Sequence, residues 1–150
     1  AVLSPKRRTY SVAGRAEAFA ACCTAADLPV EVLCPEGQGY DDGLAAADLL
    51  VAQASGADAV FATTDLLAMG LLDGLRLRHG MAVPEAVQVV GFDNIAQASW
   101  ISYNLSTVHQ DAPSTARAAV ALMLGRIQSP ERPFETRTIE IAPVYRGTTR

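Results

Sequence analysis

Two short apolar runs constrain the fold of this chain more than any other feature. Ala59–Val60–Phe61–Ala62 stops at Thr63–Thr64–Asp65, and Val87–Gln88–Val89–Val90 stops at Gly91–Phe92–Asp93–Asn94. Runs this short, with almost no polar alternation, suit central parallel strands covered on both faces. Between them lies an apolar helical stretch, Leu66–His79, closed by Gly80. The preceding chain alternates in the same way: a strand at Ala1–Leu3, a helix over Ala13–Ala26, a strand at Val30–Cys34 and a helix over Asp42–Ala54. At the start of that last helix, Asp41 or Asp42 accepts bonds from free amides. Strand, helix and short connection in turn predict an α/β fold, a parallel sheet flanked by helices with right-handed crossovers. Both central strands run into polar residues that include a carboxylate. In open α/β sheets small molecules bind at the carboxyl ends of the strands, so a ligand cleft is expected there.

After Gln110 the pattern changes. An alanine-rich helix, Pro113–Ile127, is stopped by Ser129–Pro130 and followed by Pro133; a strand at Arg137–Ile141 then alternates. This portion is expected to join another layer. It is reached by the linker Ser106–Asp111. The helix carries Ala116, Val120, Leu122, Met123, Leu124 and Ile127, an apolar set that needs a cover. Ala1–Leu3 reads as a strand with no preceding cap or turn, so the chain is expected to be cut from something longer.

Half the residues are apolar and 19% are charged, with a formal net charge of −4, which argues against disorder. The densest basic run is Lys6–Arg7–Arg8, read as a solvated loop; nothing here offers a basic face for a phosphate backbone. Cys22, Cys23 and Cys34 are odd in number and form no paired Cys-x-x-Cys, so neither a zinc site nor a disulfide framework is expected. Reduced cysteines fit a cytoplasmic protein. No apolar run approaches membrane-spanning length. A nucleophile elbow, a phosphate-binding Gly-Lys loop and a His-Glu-x-x-His pair are all missing from the sequence, which points away from an enzyme and from any metal or cofactor.

The helix Leu66–His79 is apolar on more than one side. Ala68, Leu71, Leu72 and Leu75 form the stripe that should face the sheet. Leu67, Gly70, Gly74 and Leu77 point elsewhere and, with Tyr103, are assigned to a homodimer interface. The alternative is contact with a neighbouring helix of the same chain.

Four stretches, taken in order and spacing, resemble one known family. They are Ala57–Gly70, Val83–Asn94, Leu105–Ser106–Thr107–Val108–His109–Gln110, and Tyr145–Arg146–Gly147–Thr148–Thr149. Together they are similar to the effector-binding core of LacI/GalR-type bacterial transcriptional regulators. The resemblance implies a periplasmic-binding-protein-like fold of two lobes hinged around a sugar or nucleobase, with residues 1–105 as the C-terminal lobe, 106–111 as the crossover and 112–150 as a segment returning to the N-terminal lobe. It further implies a cytoplasmic homodimer that reaches operator DNA through a helix-turn-helix headpiece outside this sequence. On that footing Arg15, at a helix start, and Asp93, at a strand end, contact the ligand. Arg15 has an alternative as a surface residue pairing with Glu17 or Asp65. Thr64 stands where many relatives have Asn, Ser11 and Gln110 supply further polar contacts, and Asp65 caps the following helix. Cys34–Pro35 replaces an aromatic stacker, leaving Trp100 or Tyr40 as substitutes; Trp100 is alternatively a dimer anchor. The rival from another class is a secreted sugar-binding protein feeding a transporter, and the residues preceding Ala1 would discriminate the two.

Overall fold

The computed structural model describes every residue except Arg8 and Ser55, so the last member of the basic triplet lies outside the described residues. The strands are β1 (Val2–Leu3), β2 (Val32–Leu33), β3 (Ala59–Ala62), β4 (Gln88–Asp93), β5 (Ser106–Gln110) and β6 (Ile141–Val144). They form one sheet in the order β2-β1-β3-β4-β5-β6. The first five are parallel, and β6 closes an edge antiparallel to β5. The helices are α1 (Tyr10–Ala25), α2 (Tyr40–Gln53), α3 (Asp65–Asp73), which runs on as a π-helical turn over Gly74–Arg78, and α4 (Ala112–Gln128). Helix α1 starts three residues earlier than expected because Thr9 caps it, its Oγ1 accepting from the Val12 N–H at 3.5 Å.

The chain steps from β1 outward to β2 and back across to β3. Right-handed crossovers then place α1 on one face of the sheet and α2 and α3 on the other. The α2–α3 face is the core. Leu33, Ala46, Ala47, Leu50, Val60, Leu67, Leu71, Leu72, Leu75, Val87, Val89 and Leu105 are buried there in one cluster. Full burial of a leucine contributes on the order of 2 kcal/mol, so the four of α3 and its π-helical extension anchor that layer.

Glycines set the helix spacing. A Cβ on Gly43 would stand 2.2 Å from the Leu67 carbonyl oxygen, and one on Gly74 would stand 2.5 Å from the Ala47 Cβ. This corrects the dimer assignment for Leu67, Gly70 and Gly74. Leu67 is wholly buried and both glycines lie against α2, so the second apolar side of α3 is covered within the chain. Leu77, by contrast, is 81% exposed.

The opposite face is thinner. Of α1 only Val12 and Ala16 are buried, while Phe19 stacks on Phe61 at 5.0 Å and Phe61 meets Phe92 edge-on at 6.3 Å. Helix α4 has no buried residue at all, and its Val120, Met123, Leu124 and Ile127 are each more than half exposed.

Residues 141–150 behave differently from the expectation that the whole of 112–150 leaves the lobe. They return to its sheet. β6 starts at Ile141 rather than ending there, because its ladder begins where Gln110 of β5 offers a partner. Beyond it Thr148 is fully buried; its Oγ1 donates to the Val89 carbonyl at 2.6 Å and accepts from the Ser106 N–H at 2.9 Å.

Candidate functional site

In the strand order 2-1-3-4-5 the connections leave β1 and β3 in opposite directions, which opens a crevice at their carboxyl ends. A groove of about 300 Å³ lies there, lined by Thr9, Val12, Arg15, Gln38, Thr64, Leu66 and Asp93. All of them but Arg15 stand at or just after the end of a strand or in the first turn of the helix that follows. Thr64 follows β3, and its Oγ1 caps α3 by accepting from the Leu67 N–H at 3.3 Å. Its hydroxyl hydrogen remains available to a guest.

Arg15 projects from the second turn of α1, not its start. Its Nη1 donates to the Thr63 carbonyl at 2.8 Å and stands 3.1 Å from Asp93 Oδ1. The guanidinium carbon lies 4.0 Å above the centre of the Phe92 ring. An arginine packed on an aromatic face and held by two oxygens has few rotamers left, which is how a recognition group is preorganised. The alternative pairing of Arg15 with Asp65 is not what the geometry shows.

Asp93 closes the other side. Gln110, on β5, donates through Nε2 to Asp93 Oδ1 at 2.7 Å. Burial pushes the Asp93 carboxyl above the ordinary aspartate range, with the Arg15 charge opposing that rise. Cation and carboxylate balance one another, so the groove offers paired donors and acceptors with little net charge. That chemistry suits the hydroxyls or ring nitrogens of a small neutral polar molecule.

The structure therefore brings Arg15, Asp93, Thr64 and Gln110 together. Ser11 does not line the groove; it is exposed on the first turn of α1, with its Oγ 3.1 Å from Thr9 Oγ1. Neither expected stacking ring lines it either. Tyr40 donates to Asp73 Oδ2 at 2.6 Å, which pushes its hydroxyl pKa up to about 12, and Tyr103 donates to the same oxygen at 3.2 Å. Trp100 is 55% exposed after a short 3-10 turn at Ala96–Ser99.

Asp65 does not cap α3. It is fully buried, accepting from Thr107 Oγ1 at 2.5 Å and from the Ile95 N–H at 2.8 Å. Burial is the leading cause that raises its pKa. Gly91 makes room for it, since a Cβ there would stand 2.3 Å from Asp65 Oδ1. Thr9, Val12, Gln38 and Leu66 are lining residues that sequence reasoning passed over. Gln38 had a usable signal: it is the polar member of a Gly-Gln-Gly turn just after a strand.

Fold and groove define an α/β lobe with a polar crevice at a topological switch point. The periplasmic binding protein-like domain model matches residues 1–149, and the chain belongs to that family. Its relatives include LacI-family regulators. It is 35% identical over 112 residues to a transcriptional repressor, PurR, of Vibrio campbellii, covering 73% of this chain and 33% of that protein. A LacI-family regulator from Sanguibacter keddieii is similar at 34% identity and a TM-score of 0.81, covering 98% of this chain and 56% of the other. A LacI-family regulator from Enterococcus faecium with bound ribose matches at 28% identity and a TM-score of 0.85, covering 99% and 55%. This chain thus spans about a third of the length of the curated relatives it matches.

Proposed function

We propose that the chain is the effector-sensing part of a LacI-type transcriptional regulator and binds a small polar molecule, a sugar or nucleobase, in the groove at Arg15 and Asp93. The observation that carries this reading is the convergence of those two side chains, from α1 and β4, on one cleft at the switch point. A second lobe reached through β5 and α4 closes over the guest, and the uncovered apolar side of α4 supports that arrangement. The whole protein acts in the cytoplasm as a homodimer, through a helix-turn-helix headpiece on operator DNA, without catalysing a reaction. Exposed Leu77, Trp100 and Ile101 are apolar residues suited to the contact between subunits. An effector changes operator affinity only if it binds the two lobe arrangements unequally.

Calorimetry of the full-length regulator against a panel of sugars and nucleobases tests the reading, with Asp93→Ala as the control. Binding that Asp93→Ala leaves intact sinks the site assignment. The transporter-feeding alternative has less behind it, because the relatives are regulators; failure of the full-length protein to bind any operator fragment would revive it.

A further inference from the structure

Asp93 and Asn94 both stand at positive φ, 123° and 55°, although neither is glycine. L residues seldom occupy that region, and such a turn persists where its surroundings over-determine it. Since Asp93 presents its carboxylate to the groove, this turn decides where the carboxylate points.

Two sets of contacts reach the turn. From below, the Asn94 N–H donates to Thr107 Oγ1 at 3.4 Å and the Ile95 N–H donates to Asp65 Oδ2 at 2.8 Å. From the far end of the chain comes Arg146, two residues past β6. Its Nη1 donates to the Leu105 carbonyl at 2.7 Å, its Nη2 donates to Asn94 Oδ1 at 2.8 Å, and its backbone N–H donates to Ser106 Oγ at 2.8 Å. The guanidinium fork thus ties the side chain of the strained turn to the entrance of β5. Asn94 Nδ2 also lies 3.3 Å from His109 Nδ1 on that strand.

We infer that Arg146 is a positioning residue for the groove: acting through the Asn94 side chain, it holds the 93–94 turn at the backbone angles that aim Asp93 at Arg15 and the guest. The inference rests on the ligand-site reading given above. It requires arginine, because a single ammonium cannot span the Leu105 carbonyl and the Asn94 amide as a planar fork does.

The test is NMR of the full chain labelled with 13C,15N-aspartate, reading the Asp93 HN–Hα coupling and its Cα and Cβ shifts, which report φ directly. Arg146→Met and Arg146→Lys should both move the Asp93 signals out of the positive-φ range while Asp58 and Asp73 keep theirs. Adding Asn94→Gly to Arg146→Met should restore Asp93, since glycine takes the left-handed conformation without a grip. An unmoved Asp93 in either folded single variant overturns the inference. So does a displacement that the glycine fails to reverse, which would make Arg146 a general anchor of the chain end. Should Arg146→Met not fold, Arg146→Lys alone and with Asn94→Gly gives the same decision. Failure of Asp93→Ala to affect ligand binding would remove the ligand reading yet leave this spectral answer standing, so the two are separable.

Discussion

Gly70 of α3 lies so close to α2 that a Cβ added to it would stand 2.0 Å from the carbonyl oxygen of Tyr40. The two helices meet backbone to backbone there. This contact explains why α3 can be apolar on two sides without a partner molecule.

Gly70→Ala should destabilise the chain. Replacing a helical glycine by alanine gains roughly 1 kcal/mol in helix propensity, but overpacking against immobile backbone costs about 1–3 kcal/mol or more. At 2.0 Å the clash decides the sign. Gly14→Ala is the counter-case, a helical glycine with nothing within 4 Å of the added atom, and should stabilise by about 0.5–1 kcal/mol. Urea denaturation midpoints moving in opposite directions are the expected outcome.

Arg15→Lys should weaken ligand binding about 10- to 100-fold, the loss of hydrogen bonds made by a charged group. A lysine cannot hold the Thr63 carbonyl and Asp93 while lying flat on Phe92. Calorimetry on the full-length protein reads this; an unchanged affinity for any ligand found there would contradict the packing argument.

Asp65 makes stability depend on pH in the direction opposite to a salt-bridged aspartate. Its folded pKa is raised, chiefly by burial, so the native state holds this proton at pH values where the unfolded chain has released it. Stability from this group falls as pH rises from the ordinary aspartate value through the raised one, and the cost is complete above it. Asp93 contributes in the same sense. The difference in unfolding free energy between wild type and Asp65→Asn should therefore shift in favour of wild type as pH falls from 7 towards 4. Denaturation curves across that range that run parallel for the two proteins would refute this.

Helix α4 should make the 150-residue chain sticky. Val120, Met123, Leu124 and Ile127 present an apolar stripe with no cover among the described residues, and exposed stripes of this kind drive association. Light scattering should show concentration-dependent oligomers, and replacing Val120, Leu124 and Ile127 with lysine should abolish them. Persistence of the oligomers in the triple variant would place the contact elsewhere.

Much of the fold was legible before any coordinates. Unalternating β-branched runs mark covered parallel strands, and their polar ends mark the mouth of a cleft; both signals are local. Asp93 could be picked out for the same reason, as a carboxylate at a strand tip within a family motif, whereas Arg15 was marked only by the family resemblance and stands in the second turn of α1. Less could be read about α3. Periodicity shows that a helix side is apolar but carries no trace of what covers it, so Gly70 and Gly74 looked like a dimer face when α2 was the neighbour.

Covalent order, then, is enough to specify the alternation of strand and helix, the parallel sheet and the polar tips, because those follow from hydrogen-bonding period and side-chain size within a few residues. Long-range packing assigned Asp65 to Thr107 rather than to a helix cap, placed Arg146 on Asn94, turned Tyr40 away from the groove and brought residues 141–150 back to β5. Partners 30 to 60 residues apart meet through the summed burial of a whole layer, and no short window of sequence contains that sum.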